Sequence, residues 1–211
     1  SEYNNESEML ERGVKYIKNN IDNVTDNYVL ALMVNTLVNV DDSDADKYID
    51  RLLENLNKSD NGSGRYLVCD SSDYMGTRSN RMNVQTTALL SMALSKENKK
   101  DSINQELIDY IISQRSNTSW GTTQSTVLAL RAINCYNANA KTSDQKIKVT
   151  VGNETQEIEL KKSGVTFVRF DFENLDSVKS AQYSIDGVKS NIYYEVIKNY
   201  YVDYDKYTGL N

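Results

Sequence analysis

Three features of this chain could carry chemistry: the acidic run Asp41-Asp42-Ser43-Asp44-Ala45-Asp46, the thiols Cys69 and Cys135, and the single indole of Trp120. Clustered carboxylates suit a hard cation. A calcium loop of EF-hand spacing begun at Asp42 needs Gly at its sixth place and Glu at its twelfth, where Lys47 and Leu53 stand. A prenyl-diphosphate site of the DDxxD kind needs a second such cluster around its magnesium, and the sequence has none. A cyclase that uses Asp as general acid needs an aromatic-lined cavity. One Trp, three Phe and a set of Tyr gathered towards the end of the chain do not supply it. What fits the run is a helix start, where the dipole and free amides favour carboxylates.

The two thiols form neither a zinc cluster nor a disulfide framework, and whether they pair is left to the fold. Histidine is absent. That excludes Ser-His-Asp and Cys-His catalysis and His-ligated zinc within this chain. The expectation is therefore no catalytic residue, no cofactor and no metal. A net charge of −6 argues against nucleic acid, which needs a basic stripe to displace counterions. No apolar run reaches the ~18 residues of a membrane span, so no transmembrane segment is expected. Without an initiator Met or a signal peptide, the 211 residues read as a processed piece.

Two alternating kinds of helix position these residues. Amphipathic, outer-type helices are expected near 7–21, 44–57 and 103–114. The first turns Met9, Leu10, Val14, Ile17 and Ile21 inward, the second Tyr48, Ile49, Leu52, Leu53 and Leu56, the third Leu107, Ile108, Ile111 and Ile112. Inner-type helices, apolar or small on nearly every face, are expected near 27–39, 82–95 and 123–136, which argues burial on most sides. Asp26 or Thr25 would cap the first inner helix, Thr122 or Thr123 the last. Residues 57–80, rich in Ser, Asn, Asp and Gly, form a long loop with a short extended piece at Arg65-Tyr66-Leu67-Val68. Three helical hairpins of one kind are an internal repeat, as in an α/α toroid.

Near Lys146 the hydrophobic period changes from 3.6 to 2. Strands are expected over 147–151, 155–160, 165–172, 182–185 and 191–201, with turns at Gly152-Asn153 and Asp186-Gly187. The Tyr-rich end suits half-buried strands better than a stacking platform. The fold class is α+β: a partial α/α toroid over 1–143, then a small antiparallel β domain over 144–211.

The stretch from Glu106 to Ile133 resembles the last helical hairpin of the alpha-2-macroglobulin and complement thioester domain. Gln114 and Trp120-Gly121 lead into Thr122-Thr123-Gln124-Ser125-Thr126-Val127-Leu128-Ala129-Leu130, similar to that family's S-T-Q-D-T-V-x-A-L run. Ser125 stands where the family usually has Asp. The resemblance implies structural roles for Trp120, Gly121, Gln124 and Thr126, and a CUB-like nature for residues 144–211. It implies a toroid with about twice as many helices, so these hairpins would leave an open edge. The remainder of a parent macroglobulin-like chain, or a second copy as a homo-oligomer, would cover it.

No reactive residue carries over. The family's thioester needs Cys-Gly-Glu-Gln, whereas Asp70 follows Cys69 and Tyr136 follows Cys135. The resemblance thus implies a non-catalytic scaffold of a secreted or surface protein that traps proteases or tags targets. The alternative is an adhesion or structural ectodomain without thioester chemistry, with a terpenoid-cyclase-like enzyme well behind. Asn-x-Ser/Thr sites at Asn23, Asn57, Asn61, Asn117 and Asn153 are compatible with an exported surface.

Overall fold

The helix richest in buried residues is α4, Asn80–Glu97, where thirteen side chains between Met82 and Ser95 are shielded from solvent. In the computed structural model, which describes residues 2–69, 80–116, 118–139, 144–161, 165–188, 192 and 194–201 (side chains of 2–6 and 175 excepted), the chain forms two compact units, 1–140 and 141–211.

In the first unit, α1 (Glu2–Asn20) and a single 3-10 turn (Ile21–Asn23) lead to α2 (Asn27–Asn39) and α3 (Ala45–Glu54). After α4 come α5 (Asp101–Ser113) and α6 (Thr123–Asn139). Inner helices α2 and α6 both pack on α4, with α3 and α5 outside them. The core runs through Leu30, Val34, Leu37, Leu52, Leu90, Leu94, Leu107, Ile111 and Ala129. Local chemistry sets the ends. Asp26 Oδ1 accepts from Val29 N at 2.9 Å to start α2, and Thr122 Oγ1 accepts from Ser125 N at 3.1 Å to start α6. Asn98 and Lys100 take left-handed backbone to reverse the chain between α4 and α5.

Four expectations about this unit change. The first helix begins at Glu2 and not at Ser7, and its Met9 and Leu10 are 61% and 53% exposed instead of inward. The α1 contacts fall at its C-terminal end, where Val14 and Ile17 are half-buried and Ile21 is enclosed. Helix α6 is buried on one face alone: Leu128, Ala129 and Ala132 face α4's side, while Val127 and Leu130 are exposed. Composition gave α2, α4 and α6 the same character, but only α4 has an inner helix on each side. Finally, the second outer helix, expected to run to 57, ends at Glu54, and the extended piece expected at Arg65-Tyr66-Leu67-Val68 is one strand of a pair. Leu56–Lys58 (β1) and Arg65–Leu67 (β2) pair as a short antiparallel hairpin that packs on α4 and α5.

In the second unit, β3 (Gln145–Val151), β4 (Glu154–Leu160) and β5 (Tyr183–Asp186) form an antiparallel sheet of order β4-β3-β5. Gly152, at φ 60°, occupies the two-residue turn between β3 and β4. Charge helps set the register: Lys146 faces Glu159 and Lys148 faces Glu157. The strand expected over 165–172 is absent. Its apolar side chains find no cover: Val165 and Phe167 are exposed, Phe167 to 91%. Alternation marks a strand only when one face of the segment is buried against a neighbour, which fixes its pairing. Residue 192 and residues 194–201 carry no strand either, and the rest of 191–201 lies outside the described residues. A short helix, α7 (Leu175–Ser180), was not expected. Asn174 caps it, accepting from Ser177 N at 2.9 Å.

Candidate functional site

The residues singled out in the Trp120 loop meet at the junction of α4, α5 and α6. Trp120 is 6% exposed. Its indole N–H donates to Ile111 O at 2.5 Å, using a carbonyl of the last turn of α5. Its backbone N–H donates to Thr126 Oγ1 on α6 at 3.2 Å. Gly121 takes φ 93°, and a Cβ there would lie 2.7 Å from Arg81 Nε, so the loop runs against the start of α4. Gln124 is half-buried on the first turn of α6. The Arg115 guanidinium lies 5.9 Å from the indole ring, the outermost part of the arrangement.

Sequence reasoning missed the polar residues beneath this loop. Ser125 is fully buried, and its Oγ accepts from Gln85 Nε2 at 3.1 Å. Further along α4, Ser91 Oγ donates to Asn104 Oδ1 at 2.6 Å, and Asn104 Nδ2 donates to Ser95 Oγ at 2.9 Å. On the α2 side, Thr87 Oγ1 accepts from Leu67 N and Asn83 Oδ1 from Cys69 N. Asn27 Nδ2 donates to Val68 O at 2.8 Å. The signal was available: Gln85, Thr86, Thr87 and Ser91 interrupt a helix with no solvated face, and buried polar groups take partners.

These contacts fix helices and supply no reactive pair. Ser91 meets the Asn104 amide, and Ser125 meets the Gln85 amide, the Thr122 hydroxyl and the Arg81 carbonyl, none of them a base that would activate a nucleophile. Neither cysteine is in a disulfide; Cys69 is buried and Cys135 half-buried, with Cys69 Sγ 3.9 Å from Asp26 Oδ2. Among the described residues no group of three or more His, Cys, Asp or Glu could hold a metal ion. The acidic run is instead paired with lysines. Lys18 bridges Asp42 and Asp44, Lys96 meets Asp41, and Lys99 meets Asp46. The amide of Asp44, and then Lys18, hold the Asp42 carboxyl below its ordinary range. Such exposed pairs contribute little each, but they link α1, the start of α3 and the α4–α5 turn.

A phenol reports on the packing of the β1–β2 hairpin. Tyr110 stacks on Tyr66 with centroids 4.5 Å apart. It is pushed up from the ordinary 10.0 to about 12, first by burial and then by Tyr66, while a hydrogen bond with Asn83 works the other way. The folded chain keeps a proton that the unfolded chain releases, so this stability is full below pH 10.0 and is lost as pH rises through about 12. The unfolding free energy is expected to fall across that window, less steeply in Tyr110→Phe. Equal slopes in parent and variant would contradict the assignment.

A family model described as the A-macroglobulin TED domain matches residues 1–136. The chain belongs to that family. No curated protein gives a significant match. As an A-macroglobulin thioester-domain relative, the chain has the α+β class expected: helical hairpins of a partial α/α toroid, then a small antiparallel sheet. Its Ser125 departs from the family's usual Asp in an informative place. The side chain there is fully enclosed, so a neutral hydroxyl meets Gln85 where a carboxylate would carry a charge into the interior. No helix among the described residues is long and apolar enough to cross a membrane.

Proposed function

We propose that this chain is a non-catalytic scaffold portion of an alpha-2-macroglobulin-like protein, secreted or held at the cell surface, that traps proteases or tags targets. The observation that carries the reading is the family match over residues 1–136 in a sequence without the family's reactive motif. Cys69 precedes Asp70, Cys135 precedes Tyr136, and no histidine is present to accept an acyl group. The toroid would contribute a rigid surface. Its partner is the remainder of the parent chain, seated on the exposed apolar side chains of α2 (Val29, Leu32) and α6 (Val127, Leu130), with association of two copies as the alternative.

The test is a thiol titration in denaturant before and after methylamine treatment, with peptide mapping of every glutamine. Two thiols per chain are expected in both samples, because Cys69 and Cys135 form no disulfide, with no glutamine modified. Release of a thiol by methylamine, together with a methylamidated glutamine, would refute the non-catalytic reading.

A further inference from the structure

The loop between β1 and β2 holds the chain's one Asn-Gly pair, Asn61-Gly62, with both residues exposed. Gly62 N–H donates to Ser59 O at 3.0 Å and Gly62 takes φ 73°, so a tight turn places Asn61 at its corner. The Asn61 side-chain carbonyl is unusually well supplied with donors. Ser59 Oγ donates to Oδ1 at 2.7 Å, Ser63 N donates at 3.1 Å, and Ser63 Oγ donates as well. Donors aimed at one carbonyl oxygen stabilise the negative charge that appears there when a nucleophile adds to its carbon. The neighbouring nucleophile is the Gly62 amide nitrogen, one residue on and without a Cβ to shield it.

We propose that Asn61 is a self-modification site, where the side-chain amide closes onto the Gly62 nitrogen and the residue converts to aspartate and isoaspartate. Solvent base removes the Gly62 amide proton as its bond to Ser59 O opens. The nitrogen then adds to Asn61 Cγ, forming a C–N bond and a five-membered ring. The bond from Cγ to the original amide nitrogen breaks, and that nitrogen leaves as ammonia after taking a proton from water. Water then opens the imide, giving aspartate when the new bond breaks and isoaspartate when the original peptide bond breaks. The balance is one water in and one ammonia out, with no redox partner.

Either product places a carboxylate at the loop tip, and isoaspartate adds one carbon to the main chain. Ser59 N and Gly64 O, 2.9 Å apart, close the loop around that position. Ser63 Oγ also lies within hydrogen-bonding distance, 2.9 Å, of Ser113 Oγ on α5. A longer main chain between these anchors loosens the hairpin from α5, so conversion acts as a slow, one-way release of this segment.

The experiment incubates the native chain in mildly alkaline buffer, follows ammonia, and maps peptides with a reagent that separates aspartate from isoaspartate. Asn61 is expected to convert before every other asparagine, giving both products at a rate that rises with hydroxide. Gly62→Ala, whose methyl meets no atom within 4 Å, should slow conversion many-fold. Ser59→Ala and Ser63→Ala should each slow it several-fold at an unchanged melting temperature. Asn61 intact while other asparagines convert would overturn the proposal. Serine variants that convert as fast as the parent, or faster, would overturn the role given to the polarised carbonyl.

Discussion

Trp120→Ala lowers the thermal midpoint of the helical unit by roughly 6–20 °C. The indole is enclosed where the end of α5, the connecting loop and the start of α6 meet. Its removal loses apolar burial and leaves a cavity that surrounding helices fill only in part, together worth about 3–5 kcal/mol. It also strips the Ile111 carbonyl of its indole donor. Against a total stability of roughly 5–15 kcal/mol, this is a large share. Trp120→Phe keeps most of the apolar contact and loses the N–H, so its cost should be near 1 kcal/mol. Thermal melts followed by circular dichroism at a helical wavelength measure both. An alanine variant that melts with the parent would show that the loop is held without this residue.

Gly64→Ala is expected to displace the β1–β2 hairpin from α5. A Cβ at Gly64 would sit 2.0 Å from Glu106 O, and the residue occupies φ 109°. The overlap is with backbone, so no side-chain rotation relieves it. Either the hairpin lifts away or α5 bends. Strained backbone and an overpacked contact together cost on the order of 2–6 kcal/mol. Lifting the hairpin also separates Arg65 Nε from Glu106 Oε2, now 2.8 Å apart, and unstacks Tyr66 from Tyr110. Hydrogen exchange should show lost protection over residues 56–67 and the end of α5, with α2 and α6 little changed. Gly62→Ala is the control. It also has positive φ but meets open space, so only the roughly 1–2 kcal/mol of left-handed strain applies. Equal protection in parent and Gly64→Ala would mean that the hairpin does not depend on this close approach.

Much of the local structure was legible from short-range chemistry. Asp26 and Thr122 cap helices because their side chains reach amides three residues on. Gly152-Asn153 turns because glycine accepts positive φ at little cost. The buried faces of α3 and α5 were readable in Tyr48, Ile49 and Leu52, and in Leu107, Ile108 and Ile111. In each case the signal and its partner lie within a few residues of each other, where helix or turn geometry is known in advance.

Tertiary structure alone decided the rest, because those features depend on what lies across a gap that the sequence does not measure. A helix with no polar face declares that it tolerates burial, not that neighbours enclose it. So α4 is sealed by α2 and α6 while Val127 and Leu130 of α6 meet solvent. Met9 and Leu10 have the spacing of a core face yet remain more than half exposed. Residues 165–172 alternate like a strand, yet they pair with none of β3, β4 and β5, and Val165 and Phe167 stay exposed. The pairings of Lys18 with Asp42, Ser125 with Gln85 and Gly64 with Glu106 join residues 24 to 42 positions apart. By itself the sequence determined the class of the main helices and of β3 and β4, the switch from helix to strand, and the family motif around Trp120. Which faces those elements cover is settled by packing, a property of pairs of surfaces and not of either one.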